Sequence, residues 1–282
     1  MKLLVEVTNK NHLNNIHVDG VILPLEGYAV EGNTFFNLDE IKDIVDNSNY
    51  LVFVKINKNL LNDDIESIKN VLIELDKLSI GGVFFYDLAI LQLKRELNLK
   101  IDLVWNQTHM VNNYRTCDYY YSNGVKYALL GKEITLEEIK DIINKSKITC
   151  MVEVVSRPSV AFSKRKLITN YYKDIGKESI SELEVKEKVT DNNYILIEDN
   201  NGTSFFLDII TNGTSIIKDL FDANCEYIII REYGLEDCFV DLVQDTMKYI
   251  GSNCTDDNYV EKYKKLGDST NFFFKKTIYR VK

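Results

Sequence analysis

Short apolar runs alternate along the chain with segments whose apolar residues recur every three or four positions. Residues 2–7 (KLLVEV), 20–24 (GVILP), 50–56 (YLVFVKI), 82–86 (GVFFY), 100–105 (KIDLVW), 125–130 (VKYALL), 148–155 and 227–231 (YIIIR) read as eight strands. Unbroken runs such as GVFFY and YIIIR suit strands covered on both faces. Between them, residues 63–78 place Ile65, Ile68, Leu72, Leu75 and Leu78 on one stripe of a helix. Residues 38–46 follow Asn37 with Glu40 three positions on, and 136–145 follow Thr135 with Glu138, the spacing of capping boxes. Further helices are predicted at 88–97, within 111–122, and at 237–250.

Eight strands alternating with helices predict a TIM-like (β/α)8 parallel barrel. A doubly wound open sheet shares the alternation. No G-x-G-x-x-G follows the first strand and no G-x-x-x-x-G-K-[ST] occurs, which argues against nucleotide binding. Regularity breaks between strands seven and eight. Residues 183–189, 193–198 and 204–209, with D-N-N and D-N-N-G turn signals, predict a small β-rich insertion at about 178–212. Just before it, EVVSRPSVAFSKRKLITNYY (153–172) reads as a shaped loop presenting Arg157, Lys164, Arg165 and Lys166. The expected layout is a barrel domain over 1–250 and a basic tail over 251–282 that packs on it. The tail carries Lys262, Lys264, Lys265, Lys275, Lys276, Arg280 and Lys282 against Asp256, Asp257, Glu261 and Asp268, whereas the whole chain has net charge -9.

That acidic balance argues against a free-standing nucleic-acid binder but leaves room for a local basic patch. The start of the chain lacks the h-region of a signal peptide, and no apolar run nears the ~18 residues of a membrane span, so a cytoplasmic protein without membrane contact is expected. Cys117, Cys150, Cys225, Cys238 and Cys254 are scattered without C-x-x-C and read as reduced core thiols; His12, His17 and His109 lack metal-site spacing. In a parallel barrel the working groups stand at the carboxyl ends of the strands. There lie Asn57, Asp87, Asn106, Glu133, Glu153 and Arg231, joined by Arg165 from the loop. Arg165 or Arg231 suits a carboxylate or phosphate, and Glu133 or Asp87 suits a general base. Each has a structural alternative: Asp87 as the cap of the next helix, Glu133 as support for another, Arg231 as partner of a core carboxylate. Ser163 beside Lys164 and Lys166 has the composition of a Ser–Lys pair, which short polar loops often contain. With no G-x-S-x-G present, no catalytic residue is assigned.

The segments YDLAILQLKREL, WNQTHMVNNY, GVKYALLGKEITLEEI and VEVVSRPSVAFSKRKLITNYY, in that order, with STNFFFKKTIYRVK at the end, resemble the collagenase-like peptidase U32 family from about residue 18 onward. The resemblance implies a barrel-like core and a likeness to proteins of tRNA and ribosomal RNA hydroxylation, some of them paired with ubiquinone synthesis. For the short Gram-positive type it implies hydroxylation of the tRNA wobble uridine at carbon five, with prephenate required. It also implies four cysteines holding an iron–sulfur cluster. Here Ser159 and Lys166 stand near the first two positions, and residues 174–177 hold no cysteine. Neither side chain replaces a thiolate as a soft ligand. No cofactor and no metal ligand are therefore expected. By matching position the resemblance carries over Glu153, Ser163, Arg165, Asn170 and Tyr171, with Asn106, Glu133 and Asp87 at strand ends; Arg231 joins them as a ligand-binding candidate. The expected function is a cluster-less component of tRNA wobble-uridine 5-hydroxylation, with a cysteine-bearing U32 relative and tRNA as partners. The alternatives are a collagenase-like peptidase and an enzyme of small anionic ligands.

Overall fold

The computed structural model describes residues 1–275 except Asn33, Thr108, Thr190, Asp268 and Asn271. The last basic residues of the tail, Lys276, Arg280 and Lys282, lie outside the described residues. In chain order the first half comprises β1 (Lys2–Glu6), β2 (Gly20–Pro24), α1 (Leu38–Asn47), β3 (Leu51–Ile56), α2 (Ile65–Asp76), β4 (Gly82–Phe85), α3 (Leu88–Glu96), β5 (Leu103–Trp105), α4 (Tyr114–Ser122), β6 (Tyr127–Leu129) and α5 (Leu136–Lys145). There follow β7 (Thr149–Ser156), β8 (Ser159–Ser163), α6 (Leu167–Asp174), β9 (Glu182–Lys186), β10 (Asn193–Glu198), β11 (Thr203–Leu207), β12 (Thr211–Asn212), α7 (Ile217–Asp222), β13 (Tyr227–Arg231), α8 (Phe239–Gly251) and α9 (Asp257–Tyr263).

β1 to β7 and β13 form a closed, parallel eight-stranded barrel: each pairs with its neighbour in chain order, β6 pairs with β7, and β13 bridges β7 and β1. Closure leaves the parallel strands without an edge. The strands' outer faces and the helix stripes share one apolar core that includes Leu3, Val54, Ile68, Leu72, Phe85, Ile139 and Leu242. The barrel's interior holds a second cluster: Leu4, Ile22, Phe53, Phe84, Val104, Tyr127, Leu129, Met151, Tyr227 and Ile229. Near its amino end the Phe53 ring meets Phe84, Tyr127 and Tyr227 edge-on, with centroids 5.8 to 6.0 Å apart. That geometry favours aromatic rings and plugs the barrel. Both predicted capping boxes form, Asn37 with Glu40 on α1 and Thr135 with Glu138 on α5. No helix among the described residues is long and apolar enough to cross a membrane.

The chain leaves the barrel after β7 at Pro158 and builds an antiparallel sheet in the order β8-β11-β10-β9. The segment read as a loop is thus a strand followed by a helix. β8 gains its partner from β11, more than forty residues downstream, which no local pattern reveals. α6 has no side-chain cap of its own, but Glu198 of β10 accepts the backbone N–H of Ile168 (2.7 Å) and Thr169. The sheet closes tightly at Gly202, where φ is +144° and a Cβ would stand 2.0 Å from the Ser163 carbonyl oxygen. Glycine alone suits that position. Past α8 the chain folds back as α9. Phe273 is buried, and its carbonyl accepts the Leu136 N–H at the start of α5.

Candidate functional site

Successive in-facing residues lie two apart along a strand. Two positions beyond the interior apolar cluster stand Glu6, Lys55, Glu153 and Arg231, on β1, β3, β7 and β13. They form a continuous chain of charge across the barrel mouth. Lys55 Nζ donates to Glu6 Oε1 at 2.7 Å, and Arg231 Nη1 lies 3.9 Å from Glu6 Oε2. Arg231 Nε is 2.7 Å from Glu153 Oε2, and Lys132 Nζ is 2.5 Å from Glu153 Oε1. A register shift in β7 opposite Ile229 and Ile230 marks a bulge. The bulge turns Ser156 to the same side as Glu153, and its hydroxyl donates to that carboxylate. Burial would push the Glu153 carboxyl up, but Arg231, Lys132 and the Ser156 hydroxyl together bring it down to about 2. Burial likewise opposes the Arg231 charge, and Glu153 and Glu6 outweigh it, so that guanidinium is held charged. At Lys55 burial prevails over Glu6, and its pKa is lowered.

Beside this layer opens a cavity of about 150 Å³. Its walls are Glu31, Asn57, Tyr86 and Asn106 at the barrel mouth, His109 at the rim, and Ser159 to Phe162 of β8 as a roof. Two amides are buried in it. Asn57 Oδ1 accepts the Val30 N–H at 2.9 Å, which leaves its NH2 group to the cavity. Asn106 is 4% exposed as a residue, and its side-chain amide has no hydrogen-bond partner among the described residues. The Ser159 hydroxyl is also buried without a partner. Buried polar groups are normally satisfied, so the unmatched Ser159 hydroxyl, with the Asn57 and Asn106 side chains lining the same cavity, points to a ligand or ordered water. Amides present a donor and an acceptor together and complement an amide or imide edge. Glu31 lines this cavity and the small one over Glu6 and Arg231, in a left-handed conformation of φ +60°. Its N–H donates to Ser204 Oγ at 3.2 Å, and Asn201 Nδ2 donates to the Ala29 carbonyl at 3.0 Å. The β2–α1 loop is thereby tied to the second sheet.

Of the nine candidate side chains, Glu153 and Arg231 meet in the charge layer, and Asn106 lines the cavity beside it. Glu133 lies at the exposed rim, 3.7 Å from His109 Nδ1. Asp87 caps α3 through the Ala89 N–H (2.9 Å) and accepts the Leu60 N–H (3.0 Å). Ser163 Oγ accepts the Arg165 N–H at 3.2 Å, and the Arg165 side chain is exposed. Asn170 and Tyr171 are exposed on α6, away from the mouth cavity. Sequence reasoning missed Glu6, Lys55 and Glu31. A signal existed for two of them: a charge two positions beyond an in-facing apolar residue, Leu4 before Glu6 and Phe53 before Lys55. Among the described residues no Ser, Thr or Cys side chain is hydrogen-bonded to a histidine, and no group of three or more His, Cys, Asp or Glu could hold a metal ion.

No cysteine stands in the segment that follows β7. Ser159 is in β8 and Lys166 precedes α6. Cys150 and Cys225 are buried at the amino ends of β7 and β13, the side of the barrel opposite the mouth. Burial pushes the Cys117 and Cys225 thiols up to about 12 and that of Cys150 to about 11.

A family model described as peptidase family U32 matches residues 13–231. The tRNA hydroxylation protein P2 of Bacillus subtilis (strain 168) is 27% identical, over 81% of this chain and 81% of that protein. Among solved structures, a U32 peptidase aligns at 16% identity and TM-score 0.47, over 62% of this chain and 75% of that one. A chitinase from Chromobacterium violaceum aligns at 11% identity and TM-score 0.40, over 86% and 98%.

Proposed function

We propose a role in tRNA hydroxylation for this chain, which belongs to peptidase family U32. It acts as a cluster-less component in the 5-hydroxylation of the wobble uridine, alongside a cysteine-bearing U32 relative. The observation that carries the reading is the likeness to a tRNA hydroxylation protein across four fifths of both chains. The mouth cavity is compatible with it. The NH2 group of Asn57 and the amide of Asn106 offer donors and an acceptor of the kind a pyrimidine edge requires. The charge chain beneath fixes the floor of the site. In this reading the partner supplies the redox chemistry, and this chain binds and orients the substrate. The peptidase reading is less favoured, because no Ser, Thr or Cys side chain among the described residues is hydrogen-bonded to a histidine base.

The test is mass spectrometry of tRNA nucleosides from cells with and without the chain. Hydroxylated wobble uridine should fall on deletion and return when the chain is supplied from a plasmid. An unchanged level on deletion would sink the proposal. Co-purification of a cysteine-bearing relative from the complemented cells tests the partnership.

A further inference from the structure

Most described lysines have a carboxylate partner: Lys10 with Glu40, Lys58 with Asp64, Lys126 with Asp102, Lys145 with Asp141, Lys262 with Asp245. Other lysines without one, such as Lys100 and Lys147, are dispersed along the chain, but one stretch concentrates them. Lys164, Arg165, Lys166, Lys173 and Lys177 fall within residues 164–177, all are exposed, and none is in an ion pair among the described residues. Asp64 and Asp199 feel Lys164 and Lys166 only at longer range. In a chain of net charge -9, five exposed cations against one acid, Asp174, make residues 164–177 a local basic patch, the kind of surface that an anionic partner fits.

The same stretch carries aromatic surface. Tyr171 is 53% exposed, and the Tyr171 and Tyr172 rings meet edge-on at 5.5 Å. Both line an open groove of about 540 Å³ between α6 and the strands β9 and β10, floored by Ile168, Leu183 and Leu196. Glu184 stands on the β9 wall, which leaves the α6 side as the path for negative charge. α6 is a firm platform, because Glu198 holds its first amides and the Thr203 hydroxyl donates to the Arg165 carbonyl at 2.9 Å. Those amides are occupied, so the charge this face offers to solvent is that of the lysine and arginine side chains. The basic turn follows directly on β8, the roof of the mouth cavity.

Cations that track a backbone, beside aromatic faces on which bases stack, are the means by which proteins hold single-stranded nucleic acid. We propose that α6 and the turn before it form an RNA-docking face: Lys164, Arg165 and Lys166 contact phosphates and Tyr171 stacks on an unpaired base, which places an RNA loop next to the barrel mouth. The inference rests on the proposed role in tRNA hydroxylation and assigns the surface that would hold that RNA.

The test is fluorescence anisotropy of an unmodified tRNA transcript with the purified chain, across a KCl series. Wild type should bind with a salt-dependent constant. Replacing Lys164→Glu, Arg165→Glu and Lys166→Glu together should lower the slope of log K against log salt by about 2, since each phosphate that a cation neutralises adds about 0.7. Tyr171→Ala should weaken binding about tenfold with little change in slope. Both variants change exposed side chains, and an unaltered Tm shows that they fold. No binding at low salt, or wild-type affinity in the triple variant, overturns the proposal. A triple variant that keeps tRNA affinity but no longer co-purifies with the cysteine-bearing relative assigns the face to a protein and overturns it as well. If binding behaves as expected while deletion leaves hydroxylated uridine unchanged in cells, the docking face stands and the tRNA-hydroxylation reading fails.

Discussion

Replacing Glu153 by Gln tests the charge chain at the barrel mouth. Glu153 bridges Arg231 at 2.7 Å and Lys132 at 2.5 Å, with its side chain 2% exposed. The amide keeps the shape and removes the charge. Arg231 is then left with Glu6, 3.9 Å away, and the more distant Glu31. At an effective dielectric of about 20, charges about 4 Å apart interact by about 4 kcal/mol. Breaking one side of a buried pair typically costs about 3–5 kcal/mol. Urea unfolding at pH 7 should therefore show Glu153→Gln less stable by about 3 kcal/mol or more, a large share of the ~5–15 kcal/mol of an ordinary domain. Arg231→Met should cost a similar amount, since it leaves the carboxylate buried beside Lys132. The double variant should lose at least about 1.5 kcal/mol less than the sum of the singles. Singles that lose under about 1 kcal/mol, or strictly additive losses, would show that water screens the layer and refute the reasoning.

Acid should act through the same carboxylate. The folded pKa of Glu153 is about 2, against an unperturbed 4.5, so the unfolded chain holds the proton more tightly. Its contribution, about 3 kcal/mol by linkage, is complete above about pH 4.5 and lost as pH falls toward 2. Glu153→Gln should flatten that part of the stability–pH curve, and a curve of unchanged slope would count against the low pKa. Glu198→Ala removes the group that takes the first amides of α6 and should cost about 1 kcal/mol, with faster hydrogen exchange confined to 167–174. Exchange spread evenly over the barrel would contradict that local role. Anaerobically purified chain should contain no iron or acid-labile sulfide, and near-stoichiometric amounts of both would end the cluster-less reading.

The barrel was legible because its strands are unbroken apolar runs and its helices carry their own caps, as at Asn37 and Thr135. These signals are local. The second sheet was half legible. The turn signals marked β9, β10 and β11, but β8 exists through its pairing with β11, and α6 takes its cap from Glu198 far along the chain. In the site, the carboxyl-end rule found Glu153, Arg231 and Asn106. It passed over Lys55 and Glu6, because a charge inside an apolar strand reads as a strand end until closure turns it inward. Ser156 reaches Glu153 only through the bulge in β7, which a period-two reading does not foresee.

The most direct test supplies cells lacking the chain with wild type or with Asn106→Ala, followed by mass spectrometry of their tRNA nucleosides. Asn106 has no side-chain hydrogen-bond partner among the described residues, so its loss should leave the level and the Tm of the protein unchanged. The account predicts that wild type restores hydroxylated wobble uridine and that Asn106→Ala restores at least about tenfold less, the equivalent of one hydrogen bond of about 1.4 kcal/mol. Full restoration by Asn106→Ala would contradict the claim that the mouth amides serve this chemistry.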